Sequence, residues 1–72
     1  MGRVDDAVAI LRLTVKEFPR SANAYDSYGD ALLAQGDTVN ALVNFKKCFA
    51  MDGTMTATRE KIDAIEAGEK GK

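Results

Sequence analysis

Breaks in the backbone pattern constrain this chain most. One proline and six glycines, at Gly2, Pro19, Gly29, Gly36, Gly53, Gly68 and Gly71, leave segments of up to sixteen residues between the breaks. Those lengths suit helices rather than strands, which usually run to about five or six residues. In the first segment Val4, Ala7, Val8, Leu11, Val15 and Phe18 recur at steps of three and four, while Asp5, Asp6, Arg12 and Lys16 take other angles. The spacing predicts an amphipathic helix over residues 4–17. Asp5 and Asp6 in its first turn and Lys16 in its last favour the helix dipole, and Pro19 disfavours helical geometry at Phe18.

A second helix is expected from Ser21, whose hydroxyl can cap it, to Gln35, with Gly36 free to take the left-handed stop. Its apolar set is Ala24, Tyr25, Tyr28, Ala31, Leu32 and Leu33. Asp37 caps a third helix carrying Val39, Ala41, Leu42, Phe45, Cys48, Phe49 and Met51, with Lys46 and Lys47 towards its negative end. The link of Gly36 and Asp37 is so short that the two helices must form an antiparallel hairpin. Thr54 or Thr56 is expected to cap a fourth helix with Ala57, Ile62 and Ile65 on one side and Arg59, Glu60, Lys61, Asp63 and Glu66 on the other. The last residues, 68–72, are expected to fray.

The fold class is therefore all-α, four helices in one domain over residues 1–72. A chain of 72 residues buries only ~60% of the surface that its unfolded form exposes, so one small core is all it can hold. Ten basic residues against eleven acidic ones give a net charge of −1. No strong field exists to draw in nucleic acid or an anionic membrane, and neither is expected as a partner. With no histidine and one cysteine, the parts of a Ser-His-Asp triad, a Cys-His dyad or a zinc tetrad are missing. The chain is expected to be no enzyme and to hold no cofactor or metal. The uncharged stretches fall far short of the ~18 apolar residues of a membrane span, and Asp5 and Asp6 interrupt what would have to be a leader's apolar run. Cys48 alone cannot make an internal disulfide, which fits a reducing compartment, and a cytoplasmic location is expected.

A shift of 34 residues lays Gly2 on Gly36, Ala7 on Ala41, Val8 on Leu42, Leu11 on Phe45, Arg12 on Lys46, Val15 on Phe49 and Pro19 on Gly53. It also lays Tyr28 on Ile62 and Ala31 on Ile65. Apart from Ala31 on Ile65, small residues fall on small and large on large, as in an internal repeat of helix pairs. At these positions the chain resembles the tetratricopeptide repeat, whose aromatic, Leu-Gly, Tyr, Ala, Phe and Pro pattern reads here as Tyr25, Tyr28-Gly29, Leu32, Ala41, Phe45 and Gly53. Tyr25 stands for Trp, Tyr28 for Leu, Leu32 for Tyr, and Gly53 for the closing Pro. Upstream, Ala7, Leu11 and Pro19 keep the second half of the pattern. The resemblance implies a helix-hairpin α-solenoid fragment: a half repeat at 2–21, a complete repeat at 22–55, a capping helix at 56–67 and a tail at 68–72. Gly29, in mid-helix at a cost of ~1 kcal/mol relative to alanine, then marks close contact between the paired helices.

Members of that family are protein-interaction scaffolds, so the resemblance implies a non-enzymatic binding or self-assembly module with a protein or peptide partner. The first helix of each pair lines a concave groove in the family, and the matching polar stripe here is Asn23, Asp26, Ser27, Asp30 and Ala34. Its acidity points to a basic or polar peptide. Asp26 and Ser27 stand where the family's binders of chaperone carboxylate tails need Lys and Asn, which argues against that ligand. The first helix has nothing before it to cover the side with Ala7, Ile10, Leu11 and Thr14, with Leu13 nearby. Either the chain belongs to a longer protein or that side pairs with a second copy in a homodimer. The run from Pro19 to Gly29 is also similar to short repeat tails that follow bacterial serine-hydrolase and penicillin-binding-type domains, which implies, as the alternative, an accessory docking tail. Cys48 is expected as a buried inert thiol, Tyr25 and Tyr28 as core residues with exposed hydroxyls, and Met51 and Met55 as packing filler.

Overall fold

The computed structural model describes residues 2–70, all of its regular structure being helical. Helix α1 spans Gly2–Glu17, α2 Ala22–Gln35, α3 Thr38–Met51 and α4 Thr56–Lys70. Each packs on its neighbour in chain order, α2 against α3 most extensively, in an all-α hairpin arrangement.

Local chemistry sets the central boundaries. Ser21 is extended (φ −91°, ψ 106°), and its hydroxyl accepts from the Ala24 N–H at 3.2 Å. At the other end of α2, Gly36 takes φ 94°, a left-handed conformation that no other described residue adopts. Its N–H donates to the Leu33 carbonyl at 3.0 Å, and the N–H of Asp37 donates to that of Leu32 at 2.9 Å. This is the paired closure that satisfies the last carbonyls of a helix. Asp37 then starts α3, its carboxylate accepting from the backbone N–H of Asn40 at 3.2 Å and from the Asn40 side chain at 2.7 Å. Those bonds hold the Asp37 carboxyl below the usual carboxylate range.

The expected boundaries differ in three places. α1 begins at Gly2 rather than residue 4, which leaves Asp5 but not Asp6 in the first turn. Neither threonine caps α4: the Thr54 hydroxyl donates to Asp52, and the Met55 carbonyl receives the N–H groups of Thr58 and Arg59. α4 also continues through Gly68 to Lys70, so the tail expected at 68–72 is helical as far as it is described, and residues 71–72 lie outside the described residues.

The molecule is a slab of 33 × 30 × 15 Å. A slab this thin leaves few positions far from water. Val8, Ala31, Leu32, Ala41, Phe45 and Ile62 form the buried cluster, with Ala7, Leu11, Tyr28, Leu42, Phe49 and Ile65 packed around it. Phe45 and Cys48 are wholly buried. The Phe45 ring lies against Gly29, where an added Cβ would come within 2.5 Å of its edge. Gly29 is therefore a point of close contact between α2 and α3, as its place in mid-helix implied.

The thin slab also explains which expected core residues are outside it. Phe18, Leu33, Val39, Met51 and Ala57 are exposed. Phe18 lies just past the end of α1, and the others face directions that no described helix covers. Tyr25 is buried, and its hydroxyl, expected to be exposed, donates to the Pro19 carbonyl at 3.1 Å, holding the α1–α2 turn. The Tyr28 hydroxyl accepts from Arg12 at 3.3 Å.

Candidate functional site

Of the five α2 residues expected to line a groove, four, Asn23, Ser27, Asp30 and Ala34, are exposed along one side of the helix at steps of three and four. Asp26 belongs to the same stripe but is half-buried. Its carboxylate accepts from the Thr58 hydroxyl at 2.7 Å and from the Lys61 ammonium at 3.2 and 3.3 Å. Lys61 also reaches Asp30, at 3.0 Å to one carboxylate oxygen and 3.1 Å to the other. The stripe therefore carries α4's cation between its two carboxylates. This corrects the picture of an open acidic groove: one of its two negative charges is already balanced from within the chain.

Lys61 is fixed from a third side. Its ammonium lies 5.3 Å from the centroid of the Phe45 ring, within the range of a cation–π attraction. Partial burial disfavours its charged form, but the hydrogen bonds to Asp30 and Asp26 and their negative charge outweigh that, and its proton is held above the ordinary lysine range. The ammonium is thus charged at all physiological pH values, and on the alkaline side its hold on the stripe weakens as pH rises through that elevated value. Asp30 keeps about half of its side chain in solvent, whereas Asp26 keeps a fifth. Asp30 is accordingly the carboxylate that an outside group can reach.

Behind the stripe, polar side chains continue into the core. Thr58 is almost wholly buried, and its single proton is committed to Asp26. Its oxygen is 3.8 Å from the Cys48 sulfur, and the thiol donates its proton to the Met55 sulfur at 3.4 Å. Burial pushes the Cys48 thiol above its ordinary value; the bond to Thr58 opposes this in part, and the carboxylates of Asp26 and Asp52 add to it. A thiol so held stays protonated at neutral pH and closed to reagents, the inert state expected from its helix position. The series Cys48, Thr58, Asp26, Lys61 and Asp30 joins α3, α4 and α2 through side chains alone.

Sequence reasoning missed Thr58 and Lys61. Both carried a signal, since the 34-residue shift places Lys61 on Ser27 and Thr58 on Ala24. Lys61 is the same stripe position one unit later, beside the acids of the preceding unit.

The other candidate surface, on α1, is divided by the structure. Ala7 and Leu11 pack against the core cluster, and Thr14 is half-buried with its hydroxyl donated to the Ile10 carbonyl at 2.9 Å. Of the four residues expected on an uncovered side, Ile10 alone is exposed, at 63%, and Leu13 joins it at 59%. Leu11 therefore leaves the candidate set and Leu13 enters it.

Among the described residues no group of three or more His, Cys, Asp or Glu is placed to hold a metal ion. No described helix is long and apolar enough to cross a membrane. No protein-family model matches the chain, and neither a curated protein nor a solved structure does so.

Proposed function

We propose that this chain is a non-enzymatic binding module of tetratricopeptide type, whose α2 stripe receives a protein or peptide segment bearing a basic group. The observation that carries the reading is the exposed row Asn23, Ser27, Asp30 and Ala34, the first three polar, with Asp30 half in solvent and already holding an ammonium group. Lys61 exemplifies the chemistry that the row accepts: a primary cation between two carboxylates, beside short polar side chains and a small residue that leave room for a backbone. An incoming lysine or arginine competes with Lys61 for Asp30, so affinity is modest and falls with added salt.

Competition of this kind makes a specific prediction. A fluorescent ten-residue peptide of alternating lysine and serine serves as the probe, its affinity read by anisotropy. Lys61→Gln frees both carboxylates and tightens binding by about threefold or more, while Asp30→Asn in the same background removes that gain. Circular dichroism checks that each variant keeps its helices. Equal affinity in the wild type and both variants, or no binding by any of them, contradicts the proposed seat.

A further inference from the structure

α1 carries an exposed seam that the α2 stripe does not use. Arg3, Asp6, Ile10, Leu13 and Glu17 are all exposed and follow one another at steps of three, four, three and four. That alternation is the spacing at which a helix presents one continuous line to a second helix. Its centre is apolar, with Ile10 and Leu13 each more than half exposed. Its ends carry opposite charge: Arg3 and Glu17 are each seven residues from Ile10, one on either side, about 10 Å along the axis.

We propose that this seam docks on the same seam of a second copy of the chain, the two α1 helices antiparallel and Ile10 facing Ile10. The charges select this arrangement. Run antiparallel about Ile10, the seam sets Arg3 of each copy opposite Glu17 of the other, while Leu13 and Asp6 fall beside the half-buried Ala7 and Thr14 at its edge. Run parallel, it sets Arg3 on Arg3, Asp6 on Asp6 and Glu17 on Glu17, three like-charge layers. Slid so that Ile10 meets Leu13, an antiparallel pair brings Asp6 against Glu17 twice. Of these three arrangements, only the antiparallel one about Ile10 joins apolar to apolar and opposite to opposite.

The far end of the stack offers no rival seat. By the 34-residue correspondence the positions of α2 that receive α3, namely Tyr25, Gly29 and Leu32, fall on Arg59, Asp63 and Glu66 of α4. A carboxylate stands where Gly29 admits the Phe45 ring, Arg59 is bound to Asp63 at 3.2 Å, and Glu66 is bound to Lys46 at 2.9 Å. Growth of the stack at α4 is blocked by charge, so the association proposed at α1 closes as a two-fold dimer. One pair of helices of this length falls below the area of a standard interface, so the dimer is weak, with a dissociation constant roughly in the tens to hundreds of micromolar. The inference rests on the reading of this chain as an interaction module but on a different face, so loss of peptide binding at α2 and loss of dimerisation at α1 are separate results.

Sedimentation equilibrium of the whole chain, from about 10 to 500 μM to bracket that range, tests it. The wild type shows an average mass that rises towards twice that of the monomer. Arg3→Glu and Glu17→Arg each place a charge favourable to the α1 dipole, so both keep the fold, yet each turns two attractive contacts into repulsive ones. Each single variant shifts the dimer midpoint to about tenfold higher concentration or beyond. Mixed in equal amounts, the two variants restore association. The carboxylate introduced at position 3 of one chain then faces the guanidinium introduced at position 17 of the other, and the unaltered Arg3 and Glu17 face each other at the opposite end. Ile10→Lys abolishes association with no loss of helical circular dichroism. A wild type that stays monomeric throughout, single variants that associate as the wild type does, a mixture that fails to recover, or an Ile10→Lys chain that still dimerises each overturns the proposal.

Discussion

Gly29→Leu removes the helical circular dichroism and the cooperative thermal transition of this chain. The Cβ alone would lie 2.5, 2.7 and 3.1 Å from three carbons of the Phe45 ring, well inside contact distance. That ring has no exposed surface and therefore no direction in which to swing aside. A leucine adds three further carbons, and relief requires α2 and α3 to separate along the most extensive contact in the molecule. The alanine variant makes the test quantitative. Gly29→Ala gains about 1 kcal/mol of helix propensity, so a loose site would show a higher melting temperature. Here overpacking outweighs that gain, and net destabilisation is about 1–3 kcal/mol, a fall in melting temperature of roughly 5–15 °C for a domain of this size. A Gly29→Ala chain that melts at or above the wild-type temperature contradicts the close approach.

The second large effect is at the ring itself. Phe45→Ala leaves a cavity at a fully buried position touched by α2, α3 and the Lys61 ammonium, and its cost is about 3–5 kcal/mol. A single core of this size supplies only about 3–5 kcal/mol of net stability, so the variant is largely unfolded at room temperature. Phe45→Leu costs less, and it shortens the group that meets Gly29. In a chain carrying both Gly29→Ala and Phe45→Leu the losses are therefore less than additive, by about 0.5 kcal/mol or more. Urea melts of the two single variants and the double variant measure this coupling. Strict additivity shows that the two residues do not share a contact.

The central hairpin is legible in the sequence because its signals are local. Ser21, Gly36 and Asp37 act within four residues of themselves, through a hydroxyl, a left-handed glycine and a carboxylate that the sequence states outright. The start of α4 escapes such reading for an equally local reason: Asp52 takes the Thr54 hydroxyl before it can serve as a cap. Periodicity finds α1 to α4 but overfills the core. Val39 and Leu33 have the right spacing, yet a slab 15 Å thick has no third layer to cover them.

The candidate surfaces are half legible. All five stripe residues can be found from spacing, but whether Asp26 and Asp30 are open depends on Lys61, more than thirty residues away in the chain, and no single-helix pattern reports the lateral placement of α2 and α4. On α1 the error is one of angle. Leu11 and Leu13 are two residues apart and so face nearly opposite ways, and only the seating of Val8 and Leu11 in the core shows which way is out.

The α2 stripe, bounded by Lys61, is the proposed seat of a basic partner. A titration of the nitrogen-15-labelled chain with the alternating lysine–serine peptide, followed by amide chemical shifts, tests it most directly. Saturable shifts are expected at Asn23, Ser27, Asp30, Ala34 and Lys61, with the α1 seam around Ile10 and Leu13 unchanged. Shifts centred on another surface, or none at any peptide concentration, would contradict it.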